Sequence, residues 1–379
     1  MSLLLRDFTD IYSRALAPSM VHKNELLSVQ RMRGLAVLMV LAVHVEDIAH
    51  KLPGWVSEFS IYSTRLGYSA PDMFFVISGF IMSYITFTTR FEARRWLLSR
   101  FFRIFPLYMF FTSLVLLLWL YEPSMTMGSG EHDWYTATMS MLMLPQAGLP
   151  LLFVGWTVEH EIVFYTTVFL VARFLPAHWL FGVMLTLSTL AICKWILQAQ
   201  TSIAFWDFHV FSLYTLQFTM GVFLYRFWNQ AKALGWKIPL VLCVGLLAFG
   251  MAFAHSGKIN QETPLRVIAF GGGYSMLLLA LLNLEHQQRS AGQQWSKRSW
   301  LVRCGDASYS IYLIHPFILA LFGKLFMHLH MSSAMNWAAI LLASAICIWG
   351  GMLSHLLLEK PIIEIGKRIT KHATARGSE

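Results

Sequence analysis

The sequence predicts an all-α, polytopic membrane protein with about ten transmembrane helices and both termini in the cytoplasm. Three observations carry that prediction. The 379 residues are 56% hydrophobic and only 13% charged, against about 25% charged in a soluble domain. Ten apolar runs are long enough to span a bilayer, at roughly 33–50, 69–89, 96–121, 153–175, 178–198, 207–228, 236–255, 264–284, 305–328 and 335–358. With the N-terminus inside, 23 of the 29 lysines and arginines fall on cytoplasmic segments, as positive-inside topology requires.

The remaining six basic residues (Lys51, Arg65, Lys194, Lys258, Arg266 and Lys324) fall at outer ends or loops. Residues 1–30 read as a cytoplasmic segment without the order of a signal peptide. Residues 31–360 form the transmembrane domain, and 361–379 a basic cytoplasmic tail. The stretch Trp134–Pro145 is apolar but too short to span, and reads as an interfacial or re-entrant helix. The net charge of +9 follows topology and does not argue for nucleic acid. Cys193, Cys243, Cys304 and Cys347 form no CxxC, so neither a disulfide framework nor a metal site is expected. Gly271-Gly272-Gly273 reads as close helix packing. His355 and Glu359, four apart, read as a local pair.

The first four spans are the richest in polar residues. Arg33 and His44 lie eleven residues apart in the first. Eleven helical steps make about three turns plus 20°, so the two share a face, about 16 Å apart along the axis. Snorkelling would explain an arginine at a helix end. The third span, however, carries Arg100 and Arg103 one to two turns beyond Arg94 and Arg95, and guanidinium groups that deep suit phosphate. His44 reaches the outer half. Two descending spans bring Asp72 and Glu161 to a similar depth. An imidazole oriented by a carboxylate is equipped for general base catalysis. Glu159 and Glu161, two apart, point to different sides, so one of them is expected to face His44, with Glu161 away from the arginines.

Six segments then come in a telling order: Arg33-x10-His44, Pro71-Asp72-Met73-Phe74-Phe75, Arg100-x-x-Arg103-Ile104-Phe105-Pro106, Trp156-Thr157-Val158-x-x-Glu161-x-x-Phe164-Tyr165, Gly305-Asp306-Ala307-Ser308-Tyr309 through His315-Pro316, and Leu358-Glu359-Lys360-Pro361. Over about residues 26 to 368 the chain resembles the acyltransferase-3 family of multipass bacterial membrane O-acyltransferases. The helix with Glu161 looks most like the subgroup that acetylates exopolysaccharides. Ala70-Pro71-Asp72 stands where the family often has Gly-Val-Asp.

The resemblance implies an inner-membrane enzyme moving an acetyl group from acetyl-CoA to a hydroxyl of a polysaccharide or lipid-linked oligosaccharide. No cofactor would be bound permanently, and membrane lipid would surround it. It carries catalysis onto His44, with Glu161 and Asp72 as acidic partners, and donor binding onto Arg33, Arg100 and Arg103. Trp156, Tyr165, Tyr309 and His315 become candidates to line the site. A structural hydrogen bond is the plainer reading of His315. A transporter or flippase using the buried His and Glu as a proton relay is the alternative, as is a catalytically silent scaffold of an export complex. No inverted repeat supports the former.

Overall fold

The computed structural model describes residues 26–53, 55, 66–88, 90–124, 132–203, 205–254, 262–293, 295–326, 328, 329 and 331–375. The predicted N-terminal segment up to residue 25, Arg65, Lys258 and the last four residues lie outside them. Among the described residues there is no strand. The helices are α1 (Leu27–Ala49), α2 (Ala70–Phe87), α3 (Ala93–Tyr121), α4 (Trp134–Met141), α5 (Trp156–Phe174), α6 (Trp179–Leu197) and α7 (Thr215–Ala231). They continue with α8 (Lys237–Ala254), α9 (Pro264–Ser290), α10 (Trp300–Asp306), α11 (Ser308–Phe326), α12 (Ser333–Ser354) and α13 (Lys360–Ala375).

Each of the ten predicted apolar segments contains a helix among the described residues, and the short Trp134 segment is α4. Six helical stretches among the described residues are long and apolar enough to cross a membrane: Leu66–Phe87, Ala93–Tyr121, Trp179–Leu197, Pro264–Ser290, Ser308–Phe326 and Ser333–Lys371. A seventh arises if α7 and α8, bent by 117° at their junction, count as one span. The difference from ten has a physical source. α1 holds Arg31, Arg33, Glu46 and Asp47, and α5 holds Glu159, Glu161 and Arg173. Two of the helices richest in ionisable groups thereby lose apolar character. Leucine, isoleucine, valine and tryptophan side chains exposed on α3, α6, α8 and α12, such as Leu117, Ile196, Val241 and Trp349, form an apolar exterior of the kind lipid covers.

α1 is the hub. It packs against α2, α9, α10, α11 and α12. Its residues enter three separate apolar clusters: Val37 and Val40 in one, Val29, Met32 and Ala36 in a second, Leu41, Val45 and Ala49 in a third. Its axial position is pinned at the start. The backbone N–H groups of Leu27 and Ser28 donate to the buried Glu285 carboxylate of α9 at 3.1 and 2.8 Å. These are orphan donors of a first helical turn, and a carboxylate there also opposes the helix dipole. Glycines let neighbours approach: a Cβ on Gly305 would lie 1.9 Å from the Gln30 carbonyl oxygen, so α10 touches α1 backbone to backbone. The predicted packing of the Gly271–Gly273 run is also seen, against Gln217, Met220 and Leu247.

A second such contact joins α2 to α7. A Cβ on Gly79 would meet the Phe218 carbonyl oxygen at 2.2 Å, and one on Gly221 the Val76 carbonyl oxygen at 2.2 Å. Helices meeting this closely in a membrane rely on small residues. Gly221→Val should therefore force the pair apart and destabilise by about 1–3 kcal/mol or more, read as a lower unfolding temperature of the purified protein. An unchanged unfolding temperature would contradict the contact.

Candidate active site

A cavity of about 570 Å³ opens between α1, α2, α3, α5, α11 and the start of α13. Arg33, Arg100 and Arg103 all line it, with Glu161, Tyr165, Tyr309 and Tyr312. Each guanidinium is held differently. Arg103 donates to Glu359 at 2.6 Å. Arg100 lies 3.6 Å from the Met82 sulfur and interacts with Tyr165 and Glu161. Arg33 is in electrostatic range of Arg103, Glu359 and Glu161. Clustered cations in an apolar interior require counter-charge or an anionic ligand. Lys360 and Asp306 line the cavity as well, so Glu161, Asp306 and Glu359 offset part of the charge of four cations.

Two of these carboxylates are themselves fixed. Glu161 accepts from Ser78 at 2.7 Å and from Tyr165 at 2.5 Å. Glu359 accepts from Ser310 at 2.7 Å and pairs with His355 at 2.8 Å. Residues His355–Glu359 form a π-helical turn between α12 and α13. Such wide turns re-aim side chains and recur at functional sites. Here the turn serves Arg103, so the predicted His355–Glu359 pair is one part of a larger network.

His44 lies on the same helix as Arg33 but outside this cavity. Its ring stacks on His315 at 5.1 Å and meets the edge of Phe153 at 5.2 Å. His44 Nδ1 is 3.3 Å from an Asp47 carboxylate oxygen. A carboxylate only accepts, so Nδ1–H donates and Nε2 is left with its lone pair. The side chain is 27% exposed, so it is reachable. His315 is buried, and its Nδ1–H donates to the Ile311 carbonyl at 3.2 Å. That is the structural hydrogen bond expected, yet its Nε2 has no partner among the described residues. Tyr312 stands between the two regions: it lines the cavity, and its ring centroid is 5.9 Å from that of His315. Tyr312 donates to the Val154 carbonyl at 2.8 Å and shares a hydrogen bond with Thr157. A run of rings, Phe74–Tyr312–His315, thus leads from the cavity lined by Arg33 to His44.

Three expectations are corrected. Glu161 does not pair with His44. The residue before α5 at the depth of His44 is Phe153, and Glu161, eight residues on, is carried about 12 Å deeper, to the arginines. Asp72 is turned the other way. It is fully buried and ion-paired with Arg266 of α9 at 2.7 and 2.9 Å, with Gln217 as a further donor. Trp156 packs on Phe75, His160 and Tyr214, away from the cavity. Glu159, on the other side of α5 as expected, is bound by Gln146 at 3.0 Å.

Sequence reasoning missed Asp47, Ser78, Ser310 and Tyr312. Ser310 and Tyr312 fall within the Gly305–Pro316 segment, and Asp47, three residues after His44, shares a helix face with it.

The family profile described as an acyltransferase domain matches residues 26–356. The chain belongs to the acyltransferase-3 family. This family member is 28% identical over 327 residues to the exopolysaccharide production protein ExoZ of Rhizobium meliloti (strain 1021), covering 83% of this chain and 96% of that protein. It is 26% identical over 385 residues to the acyltransferase MdmB of Streptomyces mycarofaciens, covering 92% and 95%. No solved structure matches it. The acyltransferase-3 protein is accordingly a multipass membrane acyltransferase, and its cavity is the place to look for acyl-group chemistry.

The Asp72–Arg266 pair reads as architecture. Asp72→Ala would strip the buried Arg266 of its direct ion-pair partner, a loss of about 3–5 kcal/mol. A marked fall in unfolding temperature is expected, largely restored by adding Arg266→Met. A single variant as stable as wild type would contradict this.

Proposed function

We propose that the chain is an inner-membrane O-acetyltransferase of ten spans with cytoplasmic termini. It would move acetyl from cytoplasmic acetyl-CoA to a hydroxyl of an exopolysaccharide or lipid-linked glycan. One observation carries the reading. Three guanidinium groups converge on one cavity, and a carboxylate-oriented histidine with a free Nε2 lies on the same helix, about 16 Å further along.

The phosphates of the donor bind Arg33, Arg100 and Arg103, where charge-assisted and two-pronged contacts favour arginine. The pantetheine arm extends up the cavity towards Tyr312 and His315. The acceptor approaches His44 from the opposite side, where that ring is exposed. His44 Nε2 removes the hydroxyl proton as the oxygen attacks the thioester carbonyl. The tetrahedral adduct collapses, the C–S bond breaks, and the leaving thiolate takes a proton back from the imidazolium. Asp47 holds the tautomer and stabilises the imidazolium. Glu161 moderates the charge of the arginines. The similarity to an exopolysaccharide production protein supports a glycan acceptor.

The test uses purified protein in lipid nanodiscs with labelled acetyl-CoA, with and without glycan. Label is expected on the glycan with release of CoA. His44→Ala should lower turnover by about 10²–10⁴-fold with CoA still bound. A folded His44→Ala variant with near wild-type turnover would overturn the assignment.

Arg103→Lys keeps a charge near Glu359 but loses the fork. It should raise the apparent KM for acetyl-CoA by about tenfold, with a smaller fall in kcat. An unchanged KM would show that Arg103 serves the Glu359 network alone.

A further inference from the structure

A second cleft, of about 520 Å³, lies between the first turns of α3 and the C-terminal helix α13. It falls in the range of roughly 300–1,000 Å³ typical of small-ligand sites. Its lining is basic: Arg95, Arg100 and Arg103 from α3, Lys367 and Lys371 from α13. No carboxylate lines it among the described residues. Arg100 and Arg103 line both this cleft and the deep cavity, so the two spaces adjoin at that pair.

The local structure builds the cleft. Lys367 and Lys371 are four apart and share a helix face. α13 seats directly on α3: a Cβ on Gly366 would lie 2.5 Å from the Phe102 side chain. α13 continues α12 within the single helical stretch Ser333–Lys371, and its Ile365 and Ile369 are 52% and 44% exposed. The cleft therefore continues the arginine cavity towards the C-terminal end of that helix.

We propose that this cleft holds the phosphorylated nucleoside end of the donor, with Lys367 and Lys371 on its 3′-phosphate and Arg100 and Arg103 on the diphosphate at the junction. The inference rests on the acetyl-CoA reading above. It gives the C-terminal helix a part in donor binding, and it separates the donor's two ends: nucleotide in the surface cleft, acyl arm in the deep cavity. A phosphate-bearing lipid headgroup shares this chemistry and must be distinguished.

The test measures binding of CoA, dephospho-CoA and adenosine 3′,5′-bisphosphate to the full-length protein in zwitterionic nanodiscs. Wild type is compared with Lys367→Ala/Lys371→Ala. Wild type should prefer CoA to dephospho-CoA. The double variant should bind CoA and the bisphosphate about tenfold more weakly at low salt, with dephospho-CoA unchanged and the gap closing as salt rises. Lys367→Arg/Lys371→Arg should keep the preference, and an unchanged unfolding temperature shows the variants folded. Equal CoA binding by wild type and the alanine variant overturns this inference and leaves the donor reading standing. No CoA binding by wild type overturns the donor reading itself. If wild type shows no preference for CoA, while the alanine variant alone loses retention of phosphatidylglycerol in anionic nanodiscs, the cleft belongs to a lipid and the nucleotide assignment falls.

Discussion

Glu285 reaches from α9 to accept the first free N–H groups of α1, and this buried carboxylate fixes how far α1 sits along its own axis. Helix α10 then packs against α1 across Gly34 and Gly305, too closely for either helix to slide. Arg33 and His44 ride on α1, so their depths are set by the same contacts. The remainder of the site is arranged around that ruler. α3 brings two further arginines to the level of Arg33, α5 brings Glu161 to the same level, and α11 brings His315 to the level of His44. A shift of α1 by one turn would move Arg33 about 5.4 Å and break this matching.

The electrostatics follow from the placement. Three guanidinium groups at the wall of an apolar cavity repel one another, and the interior does little to screen them. Lys360 adds to that charge, and Glu359, Glu161 and Asp306 answer part of it. Ser310, His355, Ser78 and Tyr165 use the lone pairs the two glutamates have left. What remains is a positive cavity with fixed walls, which costs little to reorganise when an anion enters. The residues at the other end of α1 are different in kind. His44 has one carboxylate, a stacking partner and access to solvent, an arrangement suited to moving a proton rather than holding a charge.

Much of the helical fold was legible because long apolar runs leave few choices. The residues of the arginine cavity were legible too, since charges so deep in apolar segments stand out. Partnerships across helices were not. Depth counted from the predicted span ends puts Glu161 level with His44. The predicted outer end of that span, Phe153, already lies against His44 in the 3₁₀ turn Phe153–Gly155 that precedes α5, so Glu161, eight residues on, falls deeper than the histidine. The sequence does not show the partner of Asp72 either: Arg266 is 194 residues away, and nothing local reveals which face of α2 turns towards α9. Asp47 could have been found. Its spacing of three from His44 was visible in the sequence, but a carboxylate near a helix end reads as solvated.

The central claim is that one molecule joins an arginine cavity on one side of the membrane to His44 on the other. The most direct measurement is sided acyl transfer in proteoliposomes of known protein orientation, with labelled acetyl-CoA in one compartment and glycan acceptor in the other. The account predicts labelled glycan only when the donor is on the side of Arg33, Arg100 and Arg103 and the acceptor on the side of His44. Transfer that requires both substrates in the same compartment, or that proceeds equally from either side, would contradict it.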